Sequence, residues 1–352
     1  MTTNDENKGT GFTRWWIVLL IVLAVVIPGY IAPIKPPVQL PGEDITGPFF
    51  NFLGQDFYLT NTLLTTGIVY LILFFIAFLV RRGLGDEKTP SRGLALAFEA
   101  IIEAIYNLVE STAGSKWARQ MFPWVATIIL VVLTSNYTKL LPGIETIGVL
   151  HEVHGGHEGY AAANLIPGVS YIYKADKEAK PAEDTHAAED EHATAGYNII
   201  PFFRGPSTDL NFTAAIAITA MFMVQYFGFK ANGLGYLTKF FNFGGFIKIW
   251  TTKKVGPFDV IMPFIDIFVG LLELIAEIAK IVSFSFRLLG ALFGGAILLG
   301  VIGTLLPAAQ FGVLFLELFV GLVQSLVFGV LALVFMTVAT QSHGHGDEEH
   351  AH

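Results

Sequence analysis

Six apolar stretches, each long enough to cross a bilayer, limit what this chain can fold into more than any other feature. A crossing takes about 20 residues, because a helix rises about 1.5 Å per residue against a hydrocarbon core of about 30 Å. The stretches run roughly 15–33, 59–80, 122–141, 208–229, 258–304 and 307–340. Inside lipid the backbone must satisfy its own polar groups, and runs of this length do so as helices. The expected fold is therefore an all-α membrane protein with about six spans. The last two runs exceed one perpendicular crossing and predict long, tilted or bent helices. Between the second and third, Leu94 to Trp117 sets Glu99, Glu103 and Glu110 on one side and Ile101, Ile102, Ile105, Leu108 and Val109 on the other. That pattern predicts an amphipathic helix lying at the interface or against the bundle.

Composition narrows the function classes. The chain is 53% hydrophobic and only 14% charged, where a soluble domain carries about a quarter charged residues. It has no cysteine, which excludes disulfides, thiolate metal sites and cysteine nucleophiles together. The net charge of -8 is local: ten acids against four bases lie between Glu145 and Arg204. The remainder is close to neutral and offers no basic face to nucleic acid. The same segment carries His151, His154, His157, His186 and His192 at irregular spacing, the composition of a flexible, solvated insertion rather than a metal site. The tail with His343, His345, His350 and His352 reads the same way. No phosphate-cradling loop, zinc motif or Ser-His-Asp set is present, so neither catalysis nor a cofactor is expected.

Orientation follows from the basic residues. Arg81, Arg82, Lys88 and Arg92 follow the second run, and Lys230, Lys239, Lys248, Lys253 and Lys254 follow the fourth. Both connections are expected in the cytoplasm, which puts the Pro-rich 33–48 segment and the acidic 145–205 segment outside and both termini inside. Lys8 and Arg14 before the first run also resemble the start of a signal peptide. Pro28, Gly29 and Pro33 leave no clean small-x-small cleavage site there, and a retained anchor is the simpler expectation.

Arg287 stands within the fifth run, in Ser283-Phe-Ser-Phe-Arg-Leu-Leu-Gly. A guanidinium cannot shed its charge, and in mid-membrane it costs several kcal/mol unless a carboxylate or a wet cavity meets it. Helical steps back from it give Phe284, Lys280, Glu277 and Glu273. Glu273 and Arg287 share a face about 21 Å apart, and Glu277 can pair with Lys280. Gly290, Ala291, Gly294, Gly295 and Ala296 follow as a smooth strip, which lets a helix approach closely. In the sixth run Glu317 and Gln324 lie two turns apart on one face. Glu317 is expected to be unpaired, and an unpaired acid in hydrocarbon can load and unload protons.

The order of Thr60-Asn-Thr-Leu, Thr134-Ser-Asn-Tyr-Thr-Lys-Leu-Leu-Pro-Gly143, Asp209-Leu-Asn-Phe-Thr213, Lys230-Ala-Asn-Gly-Leu-Gly235 and Ser283-x-Ser-x-Arg287-Leu-x-Gly290 resembles the family of F-type ATP synthase subunit a, the membrane stator subunit. The resemblance covers about residues 55–340. It marks 1–54 as an N-terminal span and external segment, 55–340 as the membrane domain with the 145–205 insertion, and 341–352 as a cytoplasmic tail. It implies a non-catalytic subunit in the cell membrane that forms two proton half-channels and couples proton flow to rotation of a ring of c subunits. The b-type peripheral stalk and the rest of the complex are the other implied partners. The resemblance makes Arg287 the essential arginine and Ser283 the serine before it. Glu273 becomes an acid of the outer proton path, and Gln324 the polar residue facing the arginine. Asn136, Asp209 and Asn211 fall near the outer half-channel, and Glu317 on the last-helix relay position. Two positions depart from the family: Ala291 stands where Asn is usual, and Ala296 where a Glu or His commonly pairs with the last helix. A self-contained secondary transporter is the alternative class. Such folds commonly show internal repeats, and none is visible here. A structural scaffold would have no use for Arg287.

Overall fold

The computed structural model describes residues 42–48, 50–52, 54–83, 93–141, 145, 147–153, 161–166, 169–173, 196–240, 257–306 and 309–341. The expected first span at 15–33, Lys88, Arg92 and the C-terminal tail lie outside the described residues. Five helices dominate: α1 (Asn61–Gly83), α2 (Leu94–Thr138), α3 (Leu210–Asn232), α4 (Pro257–Leu305) and α5 (Gln310–Thr340). Four stretches are long and apolar enough to cross a membrane: Asn61–Gly83, Ala95–Thr138, Leu210–Lys239 and Gln310–Thr340. The fold is thus a mainly helical, multi-pass membrane protein. Helix α4, at 49 residues, is the longest, and its final turns from Leu288 to Leu305 carry no charge.

The expected interfacial helix and the third span are one helical stretch, α2, of 45 residues. It is broken at Gly114, whose φ of 72° and ψ of 159° lie in a region essentially only glycine enters. The amphipathic half ahead of that glycine and the apolar half after it are therefore separate helical pieces, and the second carries Pro123 in its interior.

Contacts divide the chain into two compact units. The first takes in the residues up to Thr65, Tyr137–Gly205 and Leu292–Val320. It contains three antiparallel strand pairs. Strands β1 (Phe50–Phe52) and β2 (Gln55–Phe57) stack the rings of Phe50 and Phe57 at 4.8 Å. Strand β3 (Gly148–Val153) pairs with β6 (Gly196–Pro201), and β4 (Ala161–Ile166) with β5 (Val169–Tyr173). The acidic segment, read from composition as a flexible insertion, thus carries two strand pairs in its described part. Its alternation of Val, Ile, Tyr and small residues suits a pleated ribbon, a local signal that the acid and histidine count obscured.

The second unit holds Thr66–Asn136, Pro206–Ala291 and the chain from Gly321. Its helices interlock through small residues and rings, as expected where lipid removes the hydrophobic drive between helices. Gly329 of α5 receives the side chain of Ile129 from α2. Phe284 of α4 is buried between Phe328 and Phe335, with ring centroids 4.9 and 5.6 Å away. Trp117 of α2 meets Phe227 of α3 edge-on at 6.3 Å. Each such ring pair contributes about 0.5–1.5 kcal/mol beyond area burial.

Candidate functional site

The buried face of α4 reads Phe284, Ser285, Leu288, Leu289, Leu292. Arg287 falls between these positions and is exposed, as is Ser283 one turn earlier. Among the described residues its guanidinium makes no hydrogen bond or ion pair, and lies only over the Phe284 ring, 5.8 Å from the centroid. A Cβ added at Gly290, or at Gly294, would meet nothing within 4 Å. At these two positions the smooth strip is open, whereas at Gly295 the Glu317 side chain covers it. Gln324 is buried on α5, and its amide nitrogen lacks a hydrogen-bond partner among the described residues. No bond joins it to Arg287, so the expected facing of the two is not expressed as a direct contact in this chain alone.

A charged cluster occupies the Lys239 end of the second unit. After α3, a 3-10 turn over Gly233–Lys239 carries the chain back. Lys239 Nζ lies 2.8 Å from Glu273 Oε1 and donates to Glu277 Oε1 at 3.0 Å. Lys280 Nζ donates to the same oxygen at 2.9 Å, the pairing expected from the i, i+3 spacing. Gln225 Nε2 donates to Glu277 Oε2 at 3.1 Å, and Tyr236 Oη donates to Gln225 Oε1 at 3.0 Å. Both oxygens of Glu277 are thus held, and two acids face two bases. Glu273 is the looser acid, with one lysine and about a third of its side chain exposed.

Glu273 sits with Lys239, which follows α3 in the chain, whereas Asp209 caps the N-terminus of that helix. Asp209 itself is nearly fully buried and accepts from the Asn211 backbone N–H at 2.9 Å, a capping contact at the start of α3. The Asn211 side chain is exposed. Asn136 is fully buried and donates to the Gly321 carbonyl at 2.9 Å, tying α2 to α5, while its Oδ1 has no partner.

One expectation is corrected: Glu317, expected to be unpaired, has a partner. Within the first unit it forms an ion pair with Lys139, whose Nζ also donates to the Leu292 carbonyl at 3.1 Å. The partner lies 178 residues away in sequence, too far for any periodicity to reveal. Lys139 and Lys239 are the residues that sequence reasoning missed. A lone base at the end of the third apolar run was the available signal for Lys139. Lys239 was counted only toward orientation.

The matched positions extend along nearly all of this architecture. A family model described as ATP synthase A chain matches residues 63–337. The chain belongs to this family. Similar proteins include the ATP synthase subunit a of Syntrophobacter fumaroxidans (strain DSM 10017 / MPOB), 24% identical over 313 residues, covering 88% of this chain and 94% of the relative. The ATP synthase subunit a of Helicobacter acinonychis (strain Sheeba) is 25% identical over 293 residues, covering 82% of this chain and 95% of that one. That of Moorella thermoacetica (strain ATCC 39073 / JCM 9320) is 25% identical over 287 residues, with 81% and 92% covered. Within the ATP synthase A chain family frame, Arg287, Glu317, Glu273 and Gln324 all lie inside the matched residues, as does Lys139.

Proposed function

We propose that this chain is the membrane-embedded stator subunit of an F-type ATP synthase, passing protons through two half-channels and coupling their flow to rotation of a c-subunit ring. The observation that carries the reading is Arg287, a permanent charge that is exposed and has no counter-ion among the described residues, beside glycines with open space above them. A charge on a membrane helix does not face lipid bare. The surface fits a partner helix that is itself smooth and carries a carboxylate, as a c-subunit ring would supply.

The chain does this without catalysis of its own. A ring carboxylate is stable against lipid only when protonated. Beside Arg287 the opposite charge favours its ionised form, so the proton leaves, and the next proton arrives from the other side. The guanidinium also repels protons that would leak straight between the half-channels. Each proton brings about 2.3 kcal/mol per 100 mV of membrane potential. Glu317 relays protons on the outer side, with Asn136, Asp209 and Asn211 lining the approach. Ser283 and Gln324 shape the surface where the ring carboxylate meets Arg287. Glu273, the partly exposed member of the Lys239 cluster, joins Glu317 in the outer proton path. Both termini are cytoplasmic, the peripheral stalk anchors the subunit, and the complex sits in the cell membrane.

The deciding experiment is ATP-driven acidification of inverted vesicles carrying the assembled complex with Arg287→Ala. Acidification is expected to be lost while the ring still co-purifies. Normal pumping by that variant would sink the reading.

A further inference from the structure

Lys139 is a charged residue for which the proposed function has no use, and its side chain is enclosed within the first unit. Its side chain is 4% exposed and that of Glu317 3%. Two glycines make the space. A Cβ on Gly205 would come within 2.7 Å of the Lys139 Cβ, and one on Gly295 within 3.1 Å of Glu317 Oε1. A buried ion pair seldom stabilises a fold more than well-packed apolar residues would, because both charges lose their hydration. A pair built this carefully therefore needs another reason.

The pair is also incomplete. Lys139 donates to Glu317 Oε1 and to the Leu292 carbonyl, while Glu317 Oε2 is buried with no hydrogen-bond partner among the described residues. A buried acceptor left unmade costs about 1–3 kcal/mol, so this oxygen is held ready for a proton or a donor that comes and goes. The other charged groups here belong to the segment that follows α2. Glu145 interacts electrostatically with Lys139, Arg204 and Glu317, and accepts a hydrogen bond from the Gly205 backbone. Desolvation by the surrounding protein pushes its carboxyl up despite these contacts, although part of the side chain stays at the surface.

We propose that Lys139 is a positioning residue for proton transfer: it clamps Oε1 of Glu317 and leaves Oε2 as the single atom that receives and returns the proton. The proposal rests on the reading of Glu317 as a relay. In each passage an O–H bond forms at Oε2 as an O–H bond of an arriving hydronium breaks and leaves neutral water, and the Oε2–H bond breaks in turn as the proton passes to a water that becomes the departing hydronium. Lys139 keeps all its protons throughout, and no electron moves.

The test is passive proton conduction through the full complex, stripped of its catalytic sector, in vesicles over a neutral-to-alkaline pH series. Removing the charge that clamps Oε1 changes proton transfer at Oε2 itself, so Lys139→Met is expected to displace the pH profile of conduction, and Lys139→Arg to retain the original profile. A purely structural role would lower the amount of assembled complex without moving the profile. Lys139→Gln, which keeps a donor but no charge, carries the same test should Lys139→Met fail to assemble. A neutral variant whose profile superimposes on that of the unmodified complex overturns the proposal. So does an arginine variant that shifts as far as the neutral ones. ATP-driven acidification with Arg287→Ala is run beside these. Normal pumping there defeats the stator reading itself, whereas its loss together with an unmoved Lys139 profile defeats only the role of Lys139.

Discussion

Glu43 ties the segment before β1 to the start of α1, and its carboxyl carries the penalty of doing so. Its backbone N–H donates to Asn61 Oδ1 at 3.1 Å, and Asn61 Nδ2 donates to Glu43 Oε2 at 3.4 Å. Burial pushes the carboxyl above its ordinary value, against the pull of Arg204 and His151. A group whose folded-state affinity for protons is raised contributes stability in acid, and loses it as pH rises from the unfolded value through the folded one. At neutral pH the buried charge is therefore a cost. Glu43→Gln should raise the melting temperature of the detergent-solubilised protein at neutral pH, and the gain should vanish in acid. Thermal unfolding across pH checks this, and a variant less stable at pH 7 would mean that attraction to Arg204 outweighs burial. At this scale the sequence was readable where a residue is odd by itself, as Arg287 is. It was unreadable where oddity is cancelled by a distant partner, as for Glu317 and Lys139.

Helix α2 turns on a single residue. Gly114 holds positive φ with nothing within 4 Å of an added Cβ, so substitution there meets backbone strain and no clash. Gly114→Ala should cost about 1–3 kcal/mol, read as a lower melting temperature, with ring assembly intact if only the kink is strained. An unchanged melting temperature would show that the two halves of α2 tolerate another joint. Gly228 poses the opposite case. Its added Cβ would come within 2.5 Å of the Tyr236 ring, whose hydroxyl holds Gln225. Gly228→Ala should displace that ring, loosen the grip on Glu277 and slow ATP-driven pumping several-fold, measured on vesicles with matched complex content. Apolar length gave away these helices because lipid leaves the chain few options. The joint at Gly114 was hidden because one permissive φ leaves no mark in periodicity. The strand pairs were hidden because strand pairing, like ion pairing, joins residues that composition treats separately.

As a whole molecule the chain leaves apolar rings exposed on α4, Phe268 and Phe286 each at least 57% exposed, with Arg287 next to Phe286 in sequence and exposed too. Lipid can cover the rings but not the guanidinium. Anything that binds the folded state and not the unfolded one stabilises it by mass action. Co-expression with the c subunit should therefore raise the steady-state amount of this chain in membranes several-fold, and Arg287→Ala should lessen that dependence. Quantitative blotting with and without the ring subunit checks it, and equal amounts would argue that the surface needs no partner. The Lys239 cluster has a consequence for how such a chain can diverge. Lys239 grips Glu273 and Glu277, and Gly270 admits the backbone carbonyl of Phe240, so α3 and α4 are pinned on both sides of residues 241–256. The alignment of the two helices thus rests on the contacts of Lys239 and Phe240, so a lineage that loses the ion pairs still keeps the glycine seat that holds the same two helices together.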